Sequence, residues 1–147
     1  MARNLFKQPR REQGVAIVEF AITLPLLLLL LLAIAEFGRM LYQYNILLQA
    51  SRDAGRYVAG QAWNRSLGIV DLNAGLKSKT QEVAVLNVPP SLVAGSVVEV
   101  TQVGSEHVQV SITHTFVPLI GNGIPSFIGD GVALNFPLVA TTVMRVL

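Results

Sequence analysis

The sequence contains no cysteine and only two histidines in 147 residues. Without cysteine there are no disulfide bonds or thiolate metal sites, so an exported domain must be held together by its core or by partners. His107 and His114 belong to no cluster of Asp, Glu and His with metal-site spacing. No Ser, His and Asp set suggests a nucleophile, and no Gly-rich loop suggests a phosphate site. We therefore expect neither enzymatic activity nor a cofactor.

One long hydrophobic run dominates the first third of the chain. Between Gly14 and Glu36 lie 21 residues that are apolar with three exceptions, Glu19, Thr23 and Pro25. As a helix, the run would span roughly 31 Å at about 1.5 Å per residue, enough to cross a hydrocarbon core of about 30 Å. The sequence therefore predicts a transmembrane helix over residues 15–36.

The excess of positive charge is confined to the residues before this run. The first 13 residues contain four basic residues and one acidic residue, a net charge of +3, whereas the rest of the chain has seven basic and eight acidic residues. Positive charge next to a span marks its cytoplasmic side. We expect residues 1–14 to be a basic cytoplasmic leader and residues 37–147 to form an exported head. The basic balance gives no indication of nucleic-acid binding.

Glu19 is the anomaly of the apolar run. A carboxylate five residues into a span is costly unless something neutralises it, so it is a functional-site hypothesis by default. In the alternative interpretation, Glu19 lies at the cytoplasmic headgroup level and stays hydrated, which its position near the start of the run allows.

Beyond Glu36, apolar and small residues continue at alternating spacings of four and three, which is typical of one helix face. These positions are Phe37, Leu41, Tyr44, Leu48, Ser51, Gly55, Val58 and Ala62. The pattern predicts that the helix continues over residues 37–62 and packs this face on the head. A second, short helix is expected within residues 61–87, ended by Pro89 and Pro90 because the residue before a proline disfavours helix.

After Pro90 the apolar period changes from helical to two. Residues 96–103 and 108–116, joined by a turn at residues 104–106, predict a hairpin with one buried face. His114 falls on that face, where a hydrogen-bonded core imidazole is expected. A third strand is expected at residues 133–146, with Pro137 at a bulge or an edge. The Gly- and Pro-rich loop over residues 118–131 is expected to fold over the sheet edge.

These elements predict an α+β fold. A long N-terminal helix, transmembrane and then amphipathic, packs on a small antiparallel sheet of about three strands, accompanied by a second short helix.

The residues around Gly14 resemble a processing motif. The segment Arg-Arg-Glu-Gln-Gly at 10–14 is followed by Val-Ala-Ile-Val-Glu-Phe at 15–20 and a Leu-rich run. This arrangement resembles the TadE-like pseudopilins of the tight-adherence (Flp) pilus system. The resemblance continues in Glu-Phe-Gly-Arg at 36–39, in the Ala-rich segment with paired Arg at 50–57, and in the final strand at 140–145.

The resemblance implies that a prepilin peptidase of the bacterial inner membrane cuts after Gly14 at the cytoplasmic face. Its processing residues would be Gly14, Val15, Glu19 and Phe20. A glycine before the cut suits a protease groove, because bare backbone can enter it extended. The product would be a single-pass minor subunit with a periplasmic head, acting in pilus assembly or initiation; whether it also enters the extracellular pilus stays open.

The resemblance also implies partners: the inner membrane, the peptidase, other pilin or pseudopilin subunits and the assembly platform. In a filament, Glu19 could pair with the new α-amino group of Val15 on a neighbour, since buried charges are tolerated when paired. Arg52 and Arg56 are further candidates for contacts with a partner subunit, although exposed helix charges usually form only a solvated face.

Two other interpretations remain open. The same span would serve an uncleaved single-pass scaffold of a secretion or adhesion machine. Alternatively, Ala-Ile-Ala at 33–35 fits the small-x-small rule of signal peptidase, which would release a secreted protein cut after Ala35. Glu19 and the helix stripe that continues from Phe37 across this cut argue against the secreted protein.

Overall fold

The structure, a computed structural model, describes residues 10–119 and 135–146, with side chains from Gly14 onward. The chain divides into two compact units, the first ending at Phe37 and the second beginning at Gly38. Residues 1–9 of the predicted leader lie outside the described residues. So do residues 120–131 of the loop that was expected to fold over the sheet edge.

Helix α1 comprises Arg10–Gln61 and continues through Pro25. In the first unit its apolar side chains are exposed from Val15 to Ile34, and none of the unit's described residues is buried. By length and composition this helix could cross a membrane. The sequence predicted a helix that begins at Val15, whereas α1 begins at Arg10. The polar segment before the apolar run is helical too, so the helix extends through the predicted cleavage position.

The second unit contains the sheets and the short helices. After α1 follow β1 (Trp63–Asn64), β2 (Ile69–Val70), α2 (Ala74–Val85), α3 (Pro90–Val93), β3 (Ser96–Val103), β4 (His107–Phe116) and β5 (Phe136–Arg145). β1 and β2 form a two-stranded sheet, and the main sheet has the order β3-β4-β5 with both pairs antiparallel. The predicted α+β fold is confirmed. The turn between β3 and β4 uses Gly104 at φ 67°, a conformation that glycine adopts without steric cost.

The core lies between the C-terminal half of α1 and one face of the main sheet. The buried face of β4 alternates as predicted, through Val108, Val110, Ile112, His114 and Phe116. On α1 the buried face includes Leu47, Ala50, Ser51, Ala54, Val58 and Ala59, and Ala62, directly after the helix, is also buried. Phe37, Leu41 and Tyr44 were expected on this packed face, but they are exposed. The periodicity identified residues that share a face, but it could not show that Met40 packs partly against the core and that full burial starts at Leu47.

The segment predicted as a second helix within residues 61–87 is in part a hairpin. The side-chain oxygen of Asn64 accepts hydrogen bonds from the backbone N–H groups of Ser66 and Leu67, which fixes the turn between β1 and β2. Asn73 then caps α2 by accepting from Leu76 N at 2.8 Å. The helix is therefore shorter than expected, because a local turn and a later N-cap divide the segment.

The two edges of the main sheet differ. At the β3 edge, the side-chain nitrogen of Gln81 on α2 donates to the carbonyl of Val98 at 3.0 Å. At the β5 edge, Val146 N donates to Glu106 O, so the even-numbered residues of β5 bond to β4 and the odd-numbered ones direct their backbone outward. Pro137 belongs to the outward row, where its missing N–H interrupts no ladder bond. Its predicted edge position is confirmed.

At Gly55, α1 lies close against β5. A Cβ at Gly55 would lie 3.4 Å from both Thr142 Cγ2 and Met144 Sδ, which leaves room for alanine but for little more. We expect Gly55→Val to lower the free energy of unfolding by about 1–3 kcal/mol, the usual cost of overpacking. Thermal denaturation of the detergent-solubilised chain, followed by circular dichroism, would measure the loss.

The matched control is Gly60→Val on the same helix, where nothing lies within 4 Å of the added Cβ. Equal losses of stability in the two variants would contradict the close approach, because they would then reflect only the helix propensity of valine.

Candidate processing and assembly site

Four residues that follow the predicted cleavage position share one face of α1. Gly14, Val15, Val18, Glu19 and Ile22 line a shallow groove along the helix surface. Val15 is three and four residues from Val18 and Glu19, and Ile22 is four and three residues from the same two, which places these four residues on one side of successive turns. Val15 and Glu19, two of the predicted processing residues, therefore lie together on one accessible face, and Gly14 lies at its margin.

Among the residues that line this groove, Glu19 is the one that carries a charge. Its side chain is exposed, and it makes no hydrogen bond or ion pair with any described residue. The neighbouring polar residue Thr23 is satisfied within the helix, because its hydroxyl donates to the carbonyl of Phe20 at 3.3 Å. An unpartnered carboxylate in a membrane-length apolar helix needs either water or a partner from another molecule.

Phe20 lies beside this face rather than on it. One residue along a helix turns the side chain by about 100°, so Phe20 projects away from the direction of Glu19. Its ring is 62% exposed. If Phe20 takes part in recognition, a partner must therefore contact two adjacent sides of the helix.

Arg52 and Arg56, the other predicted assembly residues, belong to the second unit and are both exposed. Arg56 lies 4.0 Å from Asp53, and the two side chains are 75% and 54% exposed. An ion pair this long and this exposed contributes little to stability. Arg52 has no ion-pair partner among the described residues. Both guanidinium groups therefore remain accessible to another subunit.

The sequence did not predict the contacts that the side chain of Arg39 makes. Its guanidinium lies 4.6 Å from the centre of the Phe116 ring and donates to the carbonyl of Val117 at 2.6 Å. A cation over an aromatic face adds to the hydrogen bond. Together these contacts fix the first turn of α1 in the second unit to the end of β4. The hydrogen bond joins residues that are 78 positions apart, so no local sequence pattern could predict it.

A second unpredicted contact joins α1 to β5. Ser51 is fully buried, and its hydroxyl oxygen lies 2.8 Å from that of Thr142 and 2.9 Å from the carbonyl of Leu48, to which it donates. The alternating spacings of four and three residues had predicted that Ser51 lies on the packed face of the helix. Residue spacing within the helix could not identify Thr142 as its hydrogen-bond partner.

The predicted core role of His114 is confirmed. The imidazole is buried on β4, and its Nδ1 lies 3.2 Å from the hydroxyl of Ser96, which also bonds to the carbonyl of Leu92. Within the described residues, no group of three or more His, Asp or Glu side chains could hold a metal ion.

Comparison with known proteins bears on the same segment. Residues 14–56 match the family model of TadE-like proteins. The TadE-like resemblance predicted from the motif at Gly14 is confirmed over this range, which starts at Gly14 and ends at Arg56. The match supports a minor-pilin-like, structural role associated with the Tad pilus. No curated protein and no solved structure matches the chain significantly. The main sheet lies outside the TadE-like match.

The TadE-like match and the long apolar helix together fit a single-pass membrane protein of a pilus system. The matched residues include Glu19, Arg39, Arg52 and Arg56. The match therefore covers both the apolar helix and the part of α1 that packs on the sheet.

Proposed function

We propose that this chain is a pseudopilin-like minor subunit of a Tad pilus, cut after Gly14 by a prepilin peptidase and retained in the inner membrane by residues 15–36. The observation that carries the proposal is the position of Glu19. It is a carboxylate without a partner among the described residues, on an apolar helix of membrane length, one helical turn from Val15 and on the same face. The start of the TadE-like match at Gly14 gives further support.

Cleavage after Gly14 requires the helix to open. A protease groove accepts an extended backbone, whereas Gly14 lies within α1. Glycine inside a helix costs about 1 kcal/mol relative to alanine, so Gly14 is a weak point of the helix. Nothing lies within 4 Å of a Cβ built on Gly14, so a peptidase can approach this side of the backbone. Glycine thus serves cleavage through ease of unwinding as well as through its small size.

Assembly would use the same face after cleavage. The new α-amino group of Val15 would stand four residues from Glu19, about 6 Å along the helix axis and on the same side. A neighbouring subunit that packs on this face meets a positive and a negative group together. Exchange of these charges between neighbours would satisfy both inside an apolar bundle, the condition on which buried charges are tolerated.

The leader sets the orientation in this proposal. Its net charge of +3 favours a cytoplasmic N-terminal side, which directs the head, residues 37–147, to the periplasm. Arg52 and Arg56 would then be accessible to other subunits or to the assembly platform.

The N-terminal sequence of the mature protein in the membrane fraction tests the proposal. We expect it to begin at Val15, because cleavage after Gly14 removes the charged leader and leaves the apolar anchor. A soluble product that begins at Glu36 would contradict the proposal and support signal-peptidase cleavage. A retained leader, in cells that contain an active prepilin peptidase, would favour the uncleaved scaffold.

A further inference from the structure

A polar pocket of about 280 Å³ lies in the second unit. It forms where α1 ends, where β1 and β2 pair, and where α2 begins. Its volume is just below the roughly 300–1,000 Å³ of most small-molecule sites, so it fits a ligand the size of one sugar ring. The polar and aromatic residues that line it are Gln61, Trp63, Asn64, Arg65, Asp71 and Asn73.

Residues 120–134, which lie outside the described residues, do not reach this pocket. They connect the end of β4 to the start of β5, at the end of the sheet where Arg39 on α1 bonds to the carbonyl of Val117. From Arg39, α1 continues along β5 and ends at Gln61, about 33 Å away by helix rise. A segment of this length that leaves and returns at one end extends about 26 Å at most. The pocket therefore lies at the opposite end of the second unit.

Two asparagines of the pocket are held in place by bonds that shape the backbone. The Oδ1 atom of Asn64 accepts from the backbone N–H groups of Ser66 and Leu67, and that of Asn73 accepts from the N–H of Leu76. Their Nδ2 groups bond to no described residue. An amide whose oxygen is fixed keeps two N–H donors for a ligand and loses little conformational freedom on binding.

The pocket also contains two opposite charges that do not neutralise each other. Arg65 and Asp71 are both exposed, and neither side chain forms an ion pair or a hydrogen bond with any described residue. A bare anion at Arg65 would be repelled by the carboxylate of Asp71, and a bare cation at Asp71 would be repelled by the guanidinium. A ligand that satisfies both groups therefore offers an acidic group to Arg65 and hydrogen-bond donors to Asp71.

We propose that this pocket binds an acidic sugar, whose carboxylate pairs with Arg65 and whose hydroxyl groups donate to Asp71. A hydroxyl is both a donor and an acceptor, so the other hydroxyls of the ring accept from the amides of Asn64 and Asn73. A free amino acid carries both charges as well, but it offers these amides no acceptors beyond its carboxylate. The site is independent of the proposed cleavage and assembly, which use other residues.

Trp63 makes binding measurable, because it lines the pocket and is the only tryptophan of the chain. The detergent-solubilised full chain is titrated with glucuronic acid, glucose, glycine and inorganic phosphate, with tryptophan fluorescence and calorimetry as the two readouts. We expect glucuronic acid to saturate at millimolar concentrations, the range for a ligand of so few atoms. It should bind about tenfold more tightly than glucose, since hydrogen bonds to charged groups are the stronger ones.

Two substitutions test the roles of the charges. Arg65→Gln and Asp71→Asn should each weaken the binding of glucuronic acid at least about fivefold, because each replaces a charged hydrogen-bonding group by a neutral one. Lys77→Gln is the matched control, since Lys77 is an exposed cation on α2 that does not line the pocket. It should bind glucuronic acid as the unmodified chain does.

Four results would overturn the proposal. Stronger binding of glucuronic acid by Asp71→Asn, or binding of phosphate as tight as that of glucuronic acid, would indicate a simple anion site. Glycine that binds more tightly than glucuronic acid would indicate an amino-acid site. Equal weakening by Lys77→Gln would show that the surface charge of the head, and not the pocket, attracts the sugar. No saturable signal in either readout would show that the pocket binds no sugar.

Discussion

Replacing Glu19 by alanine is expected to leave membrane insertion and processing nearly intact but to abolish most pilus assembly. In the proposed filament, the substitution leaves the α-amino group of Val15 on a neighbour buried without its counter-charge. Removal of one partner from a buried ion pair costs about 3–5 kcal/mol. Since about 1.4 kcal/mol corresponds to a factor of ten, each subunit contact would weaken more than about a hundredfold. Counting pili by electron microscopy measures the effect.

Glu19→Gln separates charge from shape. It preserves the size of the side chain, so we expect it to impair assembly nearly as much as Glu19→Ala. Thr23→Val is the control in the same span, because the hydroxyl of Thr23 bonds only to its own helix among the described residues. Normal piliation with both Glu19 variants would show that Glu19 is a hydrated interfacial residue, as in the alternative interpretation.

Replacing Gly14 by valine is expected to block cleavage almost completely. A β-branched side chain would not fit a groove that accepts bare backbone, and valine also lacks the permissive backbone of glycine. The chain itself has room for the substitution, since nothing lies within 4 Å of a Cβ at Gly14. Loss of cleavage would therefore arise in the peptidase complex. Immunoblots of the membrane fraction, which resolve the leader-bearing form from the mature form, measure the product.

Gly38→Val is the matched control for this experiment. Gly38 lies on the same helix, and a Cβ there also has nothing within 4 Å. We expect Gly38→Val to be cleaved normally and to begin at Val15. Efficient cleavage of Gly14→Val would show that the cut is not made after Gly14. Failure of both variants would show that the blockage comes from altered insertion of the helix.

Local patterns were sufficient to predict much of the head. The strict alternation from Val108 to Phe116 identified the buried face of β4, because the period of a strand is visible within a few residues. The 21-residue apolar run identified the first half of α1 for a similar reason. The face shared by Val15 and Glu19 follows directly from their helical spacing of four residues once α1 extends through them.

What the sequence did not show depends on contacts between distant segments. Phe37, Leu41 and Tyr44 continue the apolar stripe, yet they are exposed, because spacing cannot tell where a packing partner ends. The contacts of Arg39 with Phe116 and Val117 connect α1 to the far end of a strand, and no local signal marks such a pair. The described residues contain no charged partner for Glu19 for a different reason. In our proposal, that partner is the α-amino group of Val15 on a neighbouring subunit.

The hydrogen bond between Ser51 and Thr142 has a consequence for when the head can fold during synthesis of the chain. It joins residues separated by 91 positions, and Gly55 meets the same strand through Thr142 and Met144. Chains are synthesised at about 5–20 residues per second, so Thr142 is made roughly 5–18 s after Ser51. During that interval α1 exists without its last strand. The apolar helix is therefore available to the membrane well before the head can close around the C-terminal half of α1, which separates anchoring from folding in time.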